Sequence, residues 1–272
     1  MELSPSILAA LIALVRKHTG IAMTERKSVL LERRLRPRLQ ALSLDSYQDY
    51  LDRVERDAAE IPHFIDLVTT NDTLFFRTPQ VWDYFSGQFL PAWWRAHHGK
   101  TLNIWSAAAA SGEELYSIAM LCEQFKQATP GFRYHIHATD ISRQMLEMAG
   151  AGHYEGRSVE RLRSSHPELY KKYFISAGKG ARVPDELKKN VTFAQHNLLQ
   201  ALRPAQCFDL IFLRNVLIYF DVEHQQTVLQ QARHSMAPHA RLILGESESI
   251  SRLETAYCFE QTMIYKLEEA AA

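Results

Sequence analysis

The chain has 272 residues, 46% of them apolar, with 31 basic and 31 acidic side chains and three cysteines. Zero formal net charge removes any global attraction to nucleic acid or an anionic membrane, and no apolar run approaches the roughly 20 residues that span a bilayer. The cysteines, Cys122, Cys207 and Cys258, are odd in number and lack metal-ligand spacing; with no secretory leader pattern, they point to the cytoplasm and away from a disulfide framework or zinc site.

Residues 1–76 read as helices. Ser4 is a helix cap ahead of Pro5; Leu8, Leu11, Leu14 and Val15 form one apolar face, and Gly20 ends the helix. A second helix is predicted to open at Thr24, with Leu31, Leu35 and Leu39 on one side. Pro37 removes a backbone donor and should kink or shorten it. A third starts at Ser46 with Tyr47, Tyr50, Leu51 and Val54 inward, and a fourth runs from about Glu60 to Thr69. This part is locally basic: residues 1–40 hold eight Lys/Arg against three Glu.

From about Lys100 strands alternate with helices. Short apolar runs at 101–106, 134–139, 191–196, 208–213 and 241–245 read as strands, and 113–127 and 223–236 as helices; 258–267 is strand-like. This alternation predicts a mainly parallel, doubly wound sheet, with ligands beyond the carboxyl ends of its strands. Residues 152–190 break the pattern. They hold Gly156, Pro167, Gly178, Gly180 and Pro184, and a hairpin around 175–183, and read as an insertion.

Four segments carry chemistry. Trp105-Ser106-Ala107-Ala108-Ala109-Ala110-Ser111-Gly112-Glu113-Glu114 is a small-residue turn between strand and helix, where a ligand can approach free backbone N–H groups. It is not the GxGxxG of dinucleotide-binding proteins, and a turn packed on a neighbouring helix explains it equally well. Asp140 follows the second strand, where a carboxylate can accept ribose hydroxyls; alone, it reads as a helix cap. In Thr69-Thr70-Asn71-Asp72-Thr73-Leu74-Phe75-Phe76-Arg77, a polar cluster precedes two aromatics and an arginine. The phenylalanines suit a domain interface, and Asn71, Thr73 and Arg77 a functional role. Last, an apolar central strand ends at Arg214-Asn215 and leads to Tyr219-Phe220-Asp221.

Together and in this order, the four segments resemble the CheR family of chemotaxis-receptor methyltransferases, over nearly the whole chain. The resemblance implies an α/β fold: a class I, Rossmann-like, S-adenosylmethionine (SAM)-dependent methyltransferase sheet in residues 77–272, an all-helical domain in 1–76, and a small antiparallel β subdomain inserted at about 152–190. It implies SAM as cofactor, S-adenosylhomocysteine as product, and no metal. Family positions that contact the cofactor map onto Asn71, Thr73, Arg77, Ala108, Glu114, Asp140, Asn197, Leu198, Leu213 and Arg214. Arg77 and Tyr219 match positions near the transferred methyl. Arg33, Arg34, Arg36 and Arg38 on the basic second helix match the face turned to the methylation helices of methyl-accepting chemotaxis receptors; a solvated face is the weaker alternative. Leu115 and Ser111 stand where many members have proline and threonine. The loop around Ala177-Gly178-Lys179-Gly180 looks shorter than in members tethered to a receptor's carboxy-terminal pentapeptide, so independence of that tether is expected; a monomer associated with receptor arrays is also expected.

The implied reaction esterifies a glutamate, ionised at pH 7 with an ordinary pKa of about 4.3, and needs neither general base nor metal. His97-His98 and His135-x-His137 are the close histidine pairs; His135 and His137 share a strand face with no evident third ligand, and both pairs read as structural or surface residues. Two other readings are weighed. A nucleic-acid methyltransferase is disfavoured by zero net charge and the lack of an aromatic-rich basic stripe. A non-catalytic SAM-binding regulator is disfavoured by the presence of both Arg77 and Tyr219.

Overall fold

The computed structural model describes residues 3–203 and 206–268. Four helices come first: α1 (Pro5–Thr19), α2 (Ser28–Ala41), α3 (Tyr47–Arg56) and α4 (Glu60–Val68). The Ser4 hydroxyl accepts the Ile7 amide, with Pro5 at the first helical position. Leu11, Val15, Leu31, Leu35, Leu39, Tyr50 and Phe64 are fully buried together, so the apolar stripes form one bundle core. Gly20 caps α1 in the left-handed conformation (φ 75°), and a Cβ there would lie 2.4 Å from Leu199 Cδ1. Glycine thus lets α1 end directly against the second domain.

Two expectations are corrected in this region. Thr24 leads into a single 3-10 turn (Glu25–Lys27), and α2 proper begins at Ser28. Pro37 does not end α2, which runs on to Ala41. Leu35 and Leu39 bracket the proline with no exposed surface, and Arg38 is held by Glu60 from α4 at 2.8 and 2.7 Å. These contacts outweigh the ~3 kcal/mol that an interior proline costs.

Residues 78–99 carry no predicted element, yet form α5 (Pro79–Tyr84) and α6 (Leu90–Ala96), joined by a π-helical stretch (Phe85–Phe89). Then come β1 (Thr101–Ala107), α7 (Glu113–Ala128), β2 (Arg133–Asp140) and α8 (Arg143–Ala151). The insertion holds β3 (His153–Tyr154), α9 (Arg157–Ser165), α10 (Pro167–Tyr173), β4 (Ile175–Ala177), β5 (Gly180–Arg182) and α11 (Asp185–Lys188). The chain returns through β6 (Val191–Gln195), β7 (Phe208–Leu213), α12 (Val222–His234) and β8 (Met236–Leu244) to a hairpin, β9 (Tyr257–Gln261) and β10 (Ile264–Leu267).

The main sheet has the order β6-β2-β1-β7-β8-β10-β9. The first five strands are parallel; β10 is antiparallel to both β8 and β9. The chain moves one way from β1 to β2 and the other way to β7, so the switch point lies at the carboxyl ends of β1, β2 and β7. The strand-like carboxy-terminal segment is therefore two strands, with Met263 (φ 68°) in the turn between them. The insertion is an antiparallel sheet, β3-β5-β4, with more helix than expected, because α9 and α10 bury Val159, Leu162, Leu169 and Tyr173 beneath it.

Glu60 offers a test of the bundle. Its side chain is almost wholly buried and accepts Arg38 twice and Tyr50 once. Burial alone would raise its carboxyl, but the hydrogen bonds from Arg38 and Tyr50 outweigh that and leave it below the ordinary range. Its contribution is thus complete above about pH 4.3 and is lost as pH falls through the lowered folded value. Arg38→Ala should cost about 2–3 kcal/mol in urea unfolding at pH 7, less than the ~3–5 kcal/mol of breaking a fully buried pair, because Arg38 is 25% exposed. The gap from the parent should close below about pH 4; a gap independent of pH would contradict this account.

Candidate active site

The turn after β1 is strained in a way that serves a ligand. Ala108 (φ 64°) and Ala110 (φ 47°) are left-handed without being glycine, a conformation that L-residues hold only when surroundings enforce it. Two bonds enforce it here. The Ala109 amide donates to the Thr139 carbonyl at 2.8 Å, and the Ala110 amide to Asp140 Oδ2 at 2.9 Å. Gly112 (φ 97°) ends the turn where a Cβ would meet Ala149 at 2.9 Å and the Tyr154 hydroxyl at 2.8 Å.

Asp140 is nearly buried at the end of β2. Besides Ala110, it accepts the Ser142 amide on Oδ1 at 2.8 Å. Burial raises its carboxyl above the ordinary range, and the backbone hydrogen bonds oppose the rise. The carboxylate keeps free lone pairs toward the cleft, an arrangement suited to a pair of vicinal hydroxyls.

Across the switch point Arg214 leaves β7 with a side chain only 2% exposed. It donates to Glu114 Oε2 at 3.1 Å and to the Arg77 carbonyl at 2.9 Å. Ser106 donates to the other Glu114 oxygen at 2.9 Å. Burial raises the Glu114 carboxyl, and Arg214 opposes that rise. The segment 69–78 crosses above. Phe75 and Phe76 are buried; Phe75 packs edge-on to Tyr154 and Phe174, and Phe76 stacks on His166. Both aromatics are therefore structural, and they present Asn71, Thr73 and Arg77 to the space below.

These parts enclose a cleft with about 930 Å³ of empty space, part of it open to solvent. Asn71, Thr73, Arg77, Ala108, Glu114, Asp140, Asn197, Leu198, Arg214 and Tyr219 all line it. Leu213 does not: it is fully buried in the core of the sheet domain. The helical domain forms one wall through Thr19 and Ile21. It is fastened there by the Ala22 amide on the Tyr219 carbonyl (2.8 Å), Asn197 Nδ2 on the His18 carbonyl (3.2 Å) and an Arg16–Asp221 ion pair (2.6 Å).

The four arginines of α2 lie outside the cleft and differ from one another. Arg38 is committed to Glu60, and Arg36 pairs with Glu32 at 2.6 Å. Arg34 donates to the Val68 carbonyl (2.8 Å) and Thr70 (2.9 Å), fixing the start of segment 69–78. Arg33 is exposed and has no hydrogen bond among the described residues. Asp72, His196, Asn215 and Val216 also line the cleft and are not among the cofactor positions that the resemblance implies; Asp72, His196 and Asn215 sit one residue from such positions. His135 and His137 both bond the Thr192 hydroxyl at 3.0 Å, and burial lowers His137 to about 4, so this pair reads as neutral packing.

The sequence matches two family models: "CheR methyltransferase, all-alpha domain" over residues 7–69 and "CheR methyltransferase, SAM binding domain" over 71–265. It is 38% identical over 262 residues to the chemotaxis protein methyltransferase of Vibrio parahaemolyticus, covering 91% of this chain and 92% of that one. The Salmonella typhimurium protein of that name is 33% identical, covering 100% and 93%; the Escherichia coli one is 34% identical, covering 98% and 92%. The chain belongs to the CheR methyltransferase family, and its cofactor is SAM. Asp140→Asn removes a charged acceptor and leaves one of the two backbone amides, Ala110 or Ser142, facing a donor. SAM affinity by calorimetry should fall about tenfold to hundredfold, the range of a hydrogen bond to a charged group; unchanged affinity would remove Asp140 from the cofactor site.

Proposed function

We propose that this CheR-family chain methyl-esterifies glutamate side chains on the methylation helices of chemoreceptors, and does so without a receptor carboxy-terminal pentapeptide tether. The observation that carries the reading is the meeting of Arg77 and Tyr219 with Asp140, Glu114 and Asn71 around one cleft. The names of the relatives support a receptor substrate.

The residues present suit SAM. Asp140 is suited to accept the ribose hydroxyls. Arg214, Glu114 and the polar side chains of Asn71 and Thr73 are suited to the amino-acid end. Asn197 and Leu198 form the wall beyond β6. When bound, the cofactor supplies a methyl already activated by its sulfonium. The chain's own task is to bring a carboxylate oxygen in line with that methyl and to exclude water.

Arg77 donates one Nη1 bond to the Asp72 carbonyl at 3.2 Å and keeps donors for an incoming carboxylate. A full bidentate pair would hold the oxygens too firmly for attack, so the role assigned to Arg77 is orientation. Tyr219 lines the same cleft, and its hydroxyl is assigned a hydrogen bond near the reacting centre. Of the α2 arginines, Arg33 is the free cation and Arg36 a second exposed one, so these two are assigned to docking the receptor helix. Arg34 and Arg38 support the wall behind them. The β4–β5 hairpin turns through Gly178 and Lys179 alone, a short connection that favours action without the tether.

Radiolabelled SAM incubated with receptor-containing membranes should leave label on the receptor that alkali releases as methanol. Receptors lacking the pentapeptide should be labelled at the same rate, and dependence on it would reject tether independence. Arg77→Ala should lower kcat/KM about a hundredfold, as when one preorganised donor is removed, with SAM binding retained; full activity would take Arg77 out of the reaction. Arg33→Ala should raise KM for receptor and leave kcat alone.

A further inference from the structure

Glu248 lies beyond β8 in a stretch with no role in the reading above. It is 8% exposed, and its carboxylate accepts four backbone amides. Oε1 takes Val216 and Leu217, each at 2.8 Å; Oε2 takes Asn215 at 2.8 Å and Gly245 at 2.6 Å. Among the described residues no cation pairs with it. Four convergent amides occupy the acceptor sites of both oxygens, so this carboxylate is not a free ligand.

The identity of those amides matters. Three are consecutive and run from Asn215, next to Arg214, to Leu217, the first residue of the 3-10 turn Leu217–Tyr219. The first of them, Asn215, is left-handed (φ 58°), a conformation that needs outside support. The fit is close: a Cβ on Gly245 would fall 2.6 Å from Asn215 Nδ2 and 2.7 Å from Glu248 Oε2. The β7 exit loop is thus folded around a buried anion, with Arg214 at one end and Tyr219 at the other.

We propose that Glu248 is a positioning residue for methyl transfer: its carboxylate is the post that sets the loop carrying Arg214 and Tyr219 into the cleft. The kinetic consequence rests on the function proposed above; the post itself does not. Glu248→Gln keeps the volume but turns an amide donor toward backbone donors, so part of the amide cluster loses its acceptor.

In Glu248→Gln, kcat for methyl transfer should fall about tenfold to hundredfold, the scale of an ångström-sized misplacement, with receptor KM near that of the parent. In a Tyr219→Phe background the same change should cost less than it does alone, because both act on one group. Hydrogen exchange should quicken at Asn215, Val216 and Leu217 and stay unchanged in the bundle. Wild-type kcat, or a full and additive loss in the Tyr219→Phe background, would overturn the proposal. If Glu248→Gln does not fold, Gly245→Ala displaces the same loop with the carboxylate intact, and the same split between kcat and KM is required of it. If the parent chain itself methylates no receptor, the proposed function fails. The exchange measurement then decides alone: quickening confined to 215–217 upholds the post, and unchanged protection there sinks it.

Discussion

The site depends on one buried cation. Arg214 joins three segments that are far apart in sequence: its own strand end, Glu114 at the start of α7 and the backbone of Arg77 ahead of α5. Its guanidinium also lies over the Trp82 ring, 5.7 Å from the centroid, while the Trp82 indole donates to the same Arg77 carbonyl at 2.9 Å. A buried ion pair seldom adds net stability, since desolvation cancels much of the Coulomb gain. The raised Glu114 carboxyl shows that cost. What the pair provides is location. Without it, segment 69–78 would have no polar link to the central strand, and Arg77 would not be registered against β7.

The insertion completes that registration from the other side. Arg157 pairs with Asp72 at 2.5 Å, and Ser158 donates to Glu113 at 3.0 Å. The Tyr154 hydroxyl donates to the Ser111 carbonyl at 2.7 Å. Tyr154 and Phe174, both buried, hold Phe75 edge-on between them. The segment over the cleft is therefore gripped by apolar rings on the insertion and by Arg214 on the sheet, and the small-residue turn shares the first of these partners. Displacement of the insertion would be felt at both the lid segment and the turn.

What the sequence shows of this follows from the reach of each signal. Period and caps are local, so the bundle helices and central strands are readable: Ser4, Ser46 and Gly20 sit where helices begin and end. Pro37 misleads because a propensity is weighed without the tertiary contacts that override it. Helices α5 and α6 are hidden because Trp82, Phe85, Phe89 and Trp93 pack on several sides, which erases a one-faced stripe. Most of the cleft residues are readable because they sit at strand ends and in unusual clusters. Glu248 is not, since nothing near it in sequence announces that its partners are the amides of residues 215–217. Arg34 and Arg38 share a basic run with Arg33, yet two of the three are held by carbonyl, hydroxyl or carboxylate partners that only folding brings near.

The chemistry explains why so much structure surrounds so few reacting groups. A carboxylate already ionised and a methyl already activated need no proton moved, so nearly all the barrier the protein can lower is one of approach, alignment and solvent. Alignment must then come from groups fixed in relation to one another. Tyr219 is held by its carbonyl to Ala22 of the helical domain, and its loop by Glu248 to the sheet domain. Arg77 is held through its carbonyl to Arg214 and Trp82. Through Arg34, the basic helix is bonded to Val68 and Thr70, at the root of the segment that carries Arg77. The helical domain is thus a wall of the cleft, and the helix assigned to receptor docking lies one hydrogen-bonded step from the residues that would align the receptor's glutamate.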